Sequence, residues 1–187
     1  MVLHIQRLSR PLLLTCASFL LVVGVLGCVK PQPDLVLIPV RYEKDYAVGL
    51  QDLRPYVDSD AFFVEGWWLR LTSNSTRGFL EDVARASRAK LEYRPMQQEL
   101  IGPINDTLAR GWGDCRDYSL ISASMLEATH PEWNVSLFAV DLDHPFKPDF
   151  PNHWMLWVET SEGTFLLDPT FSIVSQGEQW VGWKLPI

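Results

Sequence analysis

Between residues 135 and 168 three strand patterns follow one another with no helical pattern among them, and two helical patterns precede them. The strands fall at 135–140, 153–159 and 164–168, and Ser161-Glu162-Gly163 joins the last two. So short a connection can only reverse the chain, so these two strands pair antiparallel. A parallel sheet would need a helix-length crossover between neighbouring strands. Helices first and strands after them therefore imply an α+β domain rather than a parallel α/β fold.

The first helical pattern runs over about 76–93. Leu80, Val83, Ser87 and Leu91 recur at three- or four-residue steps, while Arg85, Arg88 and Lys90 fall largely on other faces. Asn74, Ser75 and Thr76 are candidate caps, and Pro95 is a stop. The second pattern begins at Cys115 and runs to about Ala128, where its small residues Ser119, Ser122, Ala123 and Ser124 permit close packing on a sheet. A first strand is expected at 35–40 and a closing one at 180–185. The stretch from there to Gly66 is ambiguous, although Phe62-Phe63-Val64 and Trp67-Trp68-Leu69 are expected in the core. The loop 141–152 carries three prolines and leads into His153, as a rigid connection or as one wall of a cleft. Asp141, Asp143 and His144 within it read as a solvated turn rather than a metal cluster.

The first 27 residues are unlike the rest. Arg7 and Arg10 stand ahead of an uncharged apolar stretch that reaches Gly27, the pattern of an export signal. Val25-Leu26-Gly27-Cys28 resembles a bacterial lipoprotein signal, in which Cys28 receives lipid and becomes the new N-terminus. An uncleaved anchor or a plain signal is the alternative, and each places the domain outside the cytoplasm. Val29, where an Asp would mark inner-membrane retention, favours the outer membrane. The expected organisation is a leader at 1–27, a proline-containing tether at 28–34, and one domain at 35–187, long enough to bury a core. Lys and Arg number 16 against 23 Asp and Glu, a net charge of −7; the leader holds two of the positives and no acid, so the rest stands at −9. An acidic domain without a basic stripe is a poor nucleic-acid binder, so contact with a membrane is expected through the lipid alone.

Cys16 lies in the leader and Cys28 at the lipid site, which leaves Cys115 with no disulfide partner in the domain. It sits in Gly111-Trp112-Gly113-Asp114-Cys115-Arg116-Asp117-Tyr118, a glycine-rich turn opening a helix. The unpaired N–H groups and partial positive charge of a helix N-terminus favour a thiolate there. Asn152-His153-Trp154 and Leu167-Asp168-Pro169-Thr170 follow, giving the order Cys, His, Asp. A histidine can take or return the proton and a carboxylate can orient it. The bland alternatives are an inert core thiol, a structural histidine and an Asp-Pro turn.

These three segments resemble the transglutaminase-like superfamily of papain-like cysteine enzymes, and the first is especially similar to bacterial transglutaminase-like cysteine peptidases. The resemblance spans about residues 76–172. It implies a papain/transglutaminase-like core with the cysteine at a helix N-terminus packed on an antiparallel sheet. It further implies Cys115 as nucleophile, His153 as general base and acid, and Asp168 as the orienting carboxylate. The Cys115 N–H and Trp112 become candidate oxyanion donors, Asp114 and Asp117 support the site, and Arg116 and Trp154 belong to the substrate cleft. The substrate is then a protein or peptide, whose thioester is released to water by a peptidase or to an amine by a transglutaminase. A tethered peptide-binding module without chemistry is the reading from another class. In some relatives acidic residues flanking the cysteine bind calcium; the Arg116 cation opposes this here, so no cofactor or metal is expected. One spacing resists the triad. A hairpin turning about Glu162 sets Phe171, not Asp168, opposite His153, so a bulge or a turn nearer Ser161 is required.

Overall fold

Helix α4 (Cys115–Thr129) lies at the centre of the computed structural model, with helices on one side and a five-stranded sheet on the other. The described residues are 37–41, 46–95, 101–145, 150–176 and 180–187, all within the compact unit Pro33–Ile187. The leader, Cys28 and the tether fall outside them, as does part of the 141–152 loop.

The chain opens with an antiparallel hairpin of β1 (Leu37–Arg41) and β2 (Tyr46–Gln51). Helices α1 (Phe63–Thr72) and α2 (Thr76–Lys90) follow, and then β3 (Glu92–Tyr93), α3 (Ile104–Arg110), β4 (Trp112–Gly113) and α4. The main sheet is built from β5 (Asn134–Val140), β6 (His153–Thr160), β7 (Gly163–Asp168), β8 (Ile173–Gln176) and β9 (Gly182–Pro186). Its order is β8-β7-β6-β5-β9, antiparallel throughout. The fold class is therefore α+β, with the cysteine at the start of a helix that packs on an antiparallel sheet.

Period-two alternation sorts the sheet's side chains into two clusters. Val135, Leu137 and Ala139 of β5, Trp154, Leu156 and Val158 of β6, and Phe165 and Leu167 of β7 join the helices in the main core. Phe138, Val140, Met155 and Leu166 form a second, smaller cluster. Helix α4 is buried on nearly every side, as a central helix must be. Two of its serines are satisfied at close range: Ser122 Oγ donates to Ser87 Oγ at 2.7 Å, and Ser124 Oγ donates to the Leu120 carbonyl at 2.8 Å while accepting the Asp58 N–H at 2.9 Å. Small residues thus bring α2 and α4 together, at the cost of one buried hydroxyl, Ser119 Oγ, that has no hydrogen-bond partner among the described residues.

The segment expected wholly in the core is helix α1, and half of it faces out. Phe62 is buried, but Val64 is 82% and Trp68 66% exposed, and Phe63 and Leu71 are exposed as well. The reason is the contact made by Gly66. A Cβ there would lie 2.8 Å from Thr129 Cγ2 and 3.0 Å from the Met125 carbonyl, so α1 lies on α4 through its glycine and Phe62, Gly66 and Leu69 point inward. Helix α2 stops at Lys90 rather than 93: Leu91 turns extended and Tyr93 pairs with Gly113. Ser75 is its N-cap, accepting the Gly78 N–H at 3.0 Å. Helix α3 and strands β2, β3, β4 and β8 were not foreseen from the sequence pattern.

Candidate active site

The loop that leads into Cys115 is built outward from one buried carboxylate. Asp117 Oδ1 accepts the Thr107 hydroxyl at 2.9 Å and Arg110 Nη2 at 2.8 Å, while Oδ2 accepts the Asp114 N–H at 3.0 Å. Asp114 is the N-cap of α4 and accepts the Arg116 N–H at 2.9 Å, and with Asp117 it forms a reciprocal capping box. Burial pushes the Asp117 carboxyl above the ordinary carboxylate range, against the opposing pull of the Asp114 N–H, Thr107 and Arg110. Gly113 is required by this packing, because a Cβ would stand 2.6 Å from Asp117 Oδ2. Gly111 ends α3 in the left-handed region at φ 73°, where glycine carries no steric cost. The chain thus arrives at Cys115, the first residue of α4, with its direction set on both sides.

His153 opens β6 and is almost fully buried. Its Nε2 is 2.8 Å from Asp168 Oδ2. The Cys115 side chain lies near enough to the imidazole to act on its protonation. Burial favours the neutral ring, but hydrogen bonds and charge from Asp168 and Cys115 outweigh it and raise the histidine to about 9. At neutral pH a ring raised this far keeps its proton beside Asp168. Cys115, in turn, is unpaired by any disulfide and buried at the sheet-facing start of α4.

The strand register explains how Asp168 reaches. The hairpin reverses through Ser161 and Glu162, with Thr160 opposite Gly163 and Leu156 opposite Leu167. The turn is centred half a residue nearer Ser161 than a reversal about Glu162, so the position opposite His153 is Thr170 and Asp168 lies on the diagonal. Diagonal pairs are within reach of a histidine and an aspartate. No bulge intervenes between β6 and β7.

The remaining expected site residues are placed as follows. Trp112 is half-buried three residues before Cys115, with the guanidinium of Arg110 4.8 Å and that of Arg94 5.5 Å from its ring. Arg116 folds back on Asp114 through Nε and Nη2, the latter at 2.6 Å. Trp154, expected in the cleft, is buried in the main core opposite Ala139. Asp141 accepts the N–H groups of Asp143 and His144, so that segment is a turn organised on its carboxylate.

Three residues near the site, Arg110, Thr107 and Tyr93, went unrecognised in the sequence, and a fourth, Phe171, entered only as a register position opposite His153. Arg110 binds both Asp117 and the Trp112 carbonyl, the latter at 2.8 Å. Thr107 completes the set around Asp117. Tyr93 stacks on Tyr118 across from Gly113, and its phenol is held above its ordinary value by burial and then by the charges of Cys115, Asp114 and Asp168. Phe171 is exposed with its ring centroid 5.6 Å from that of His153. An arginine followed at seven residues by Asp117 gave no signal on its own, since α3 was not foreseen.

No family model matches the sequence, and no curated protein matches it. Two solved structures align with part of the chain. One is a candidate cysteine protease from Cytophaga hutchinsonii, at 15% identity and a TM-score of 0.47 over 63% of this chain. The other is EGTA-treated LapG of Legionella pneumophila, at 14% identity and a TM-score of 0.45 over 67%. The chain spans 39% of the Cytophaga protein and 80% of LapG. Both likenesses are partial, and the chemistry of the site is read from its own geometry.

Proposed function

We propose that this chain is a cysteine hydrolase that cleaves an amide bond in a protein or peptide. The observation that carries the reading is the His153–Asp168 contact at 2.8 Å, formed near the Cys115 side chain, which opens a buried helix. In this reading the Cys115 sulfur attacks the carbonyl carbon and forms a thioester as the C–N bond breaks. His153 gives its proton to the departing amine, then takes one from the water that hydrolyses the thioester. Asp168 keeps the ring oriented and charged. The Cys115 N–H, among the first N–H groups of α4 and outside its hydrogen-bond ladder, is the donor to the oxyanion.

No metal takes part. Asp114 and Asp117, the acidic residues flanking the cysteine, are engaged by Arg116 and Arg110 at 2.6 and 2.8 Å, so a divalent cation would have to displace two guanidinium groups. The hydrolase is anchored through lipid on Cys28 and faces away from the cytoplasm, where a single unpaired thiol can persist without a disulfide partner.

Alkylation by iodoacetamide tests the core of this reading. Wild-type protein is expected to modify Cys115 rapidly at neutral pH, and His153→Ala to slow this by at least about tenfold with the fold retained. Equal rates in the two proteins would leave a scaffold that has the arrangement without the chemistry.

A further inference from the structure

Phe171 is 60% exposed, yet its ring stands beside His153. A lone exposed phenylalanine is ordinary on a protein surface. This one is held in place by the site. Asp168 Oδ2 binds the histidine, and Oδ1 accepts the Thr170 N–H at 3.0 Å and the Phe171 N–H at 3.3 Å. One carboxylate therefore sets both the acid–base ring and the aromatic ring next to it. The turn is closed by Ser172 at φ 55°, the only non-glycine residue with positive φ among those described, before Ile173 pairs back with Asp168. Such a conformation costs on the order of 1 kcal/mol, and it persists only where the surroundings fix it.

The position has a chemical meaning. Whatever amine leaves from an amide at Cys115 must come within hydrogen-bond reach of the His153 ring to receive its proton. The side chain borne by that amine is then carried against the groups flanking the ring. An exposed aromatic face there gains from covering by an apolar group and has no polar group to offer a charged one.

Resting on the hydrolase reading above, we propose that Phe171 lines the leaving-group subsite, and that the substrate carries a bulky apolar side chain on the amine side of the scissile bond. The subsite can be probed without the natural substrate, because an amine attacking the thioester retraces the departure of the leaving group. With p-nitrophenyl acetate, the ester C–O bond breaks, p-nitrophenolate leaves and Cys115 becomes an acetyl thioester. An amino-acid amide then forms a C–N bond as the C–S bond breaks; its proton passes to His153 and the thiolate is regenerated. Leucinamide, phenylalaninamide and glycinamide have amines of similar basicity, so their relative capture reads the subsite.

With the full chain, leucinamide and phenylalaninamide should be captured about tenfold better than glycinamide. Phe171→Ala should bring the three close to parity, and Phe171→Leu should keep most of the preference, with thermal midpoints unchanged because the side chain is exposed. Equal capture of all three by the wild type, or a preference that survives in Phe171→Ala, overturns the subsite. Acetylation that fails, or that is as fast in His153→Ala, overturns the hydrolase reading and the subsite with it.

Discussion

Both oxygens of Asp168 orient something else, and that makes the Asp168→Asn variant informative. Asparagine keeps a carbonyl oxygen for the Thr170 and Phe171 N–H groups but loses the charge that favours the imidazolium. The expected outcome is a folded protein whose amide cleavage, or capture-assay turnover, falls by about 10²–10⁴-fold. The pH profile is a second check. His153 must be protonated to release the amine, so wild-type turnover should decline as pH rises through about 9, and Asp168→Asn should shift that decline toward the ordinary value of 6.5. Stability follows the same sign. A histidine raised by folding stabilises the native state fully below its unfolded value and loses that contribution as pH passes the folded one. The difference in urea midpoint between wild type and His153→Ala should therefore be largest below about pH 6.5 and shrink through about 9. At this scale the sequence was most legible. Cys115, His153 and Asp168 were marked by residue type and flanking turns, and His153 and Asp168 stand 2.8 Å apart. Tyr93 was not, because nothing in an isolated aromatic residue tells which partner it will stand beside, and Phe171 was set near His153 by register alone, with no role attached. Even the doubt about Asp168 was a matter of half a residue in the turn centre.

The elements explain what residue types could not. Helix α1 hid its period, because Phe62, Phe63, Val64, Trp67, Trp68, Leu69 and Leu71 leave almost no polar residue to mark an outer face. Only the contact of Gly66 with α4 decides which side is inward. Gly66→Ala should destabilise the fold by about 1–2 kcal/mol despite the higher helix propensity of alanine, since Thr129 cannot swing away: it is buried and its hydroxyl is bonded to the Met125 carbonyl. A lowered thermal midpoint would register this. Gly113→Ala tests the loop before Cys115 in the same way. Its methyl group must displace Asp117, so Cys115 alkylation should slow even where the midpoint drops by only a few degrees. Helix α3 escaped notice for a simpler reason: at seven residues it is too short to declare a period.

At the scale of the whole molecule, the antiparallel order, the α+β class and the closing strand β9 followed from where the strand patterns lay, whereas the edge strand β8 depended on a pairing that no local pattern fixes. The leader raises a separate prediction. If Cys28 carries lipid, Cys28→Ser should abolish incorporation of labelled palmitate, and the wild type should fractionate with membranes. Absence of label in the wild type would point to an uncleaved anchor or a plain signal instead. A last consequence comes from the seating of α4 on the sheet. The sulfur belongs to a helix and the imidazole to a strand, so neither element holds the reactive pair alone. Thiol reactivity is consequently a gauge of how well two layers are docked: loosening that seam by about an ångström should silence Cys115 while the helices and strands themselves persist. A circular dichroism spectrum would record an intact protein, and a dansyl iodoacetamide stain would record a dead one.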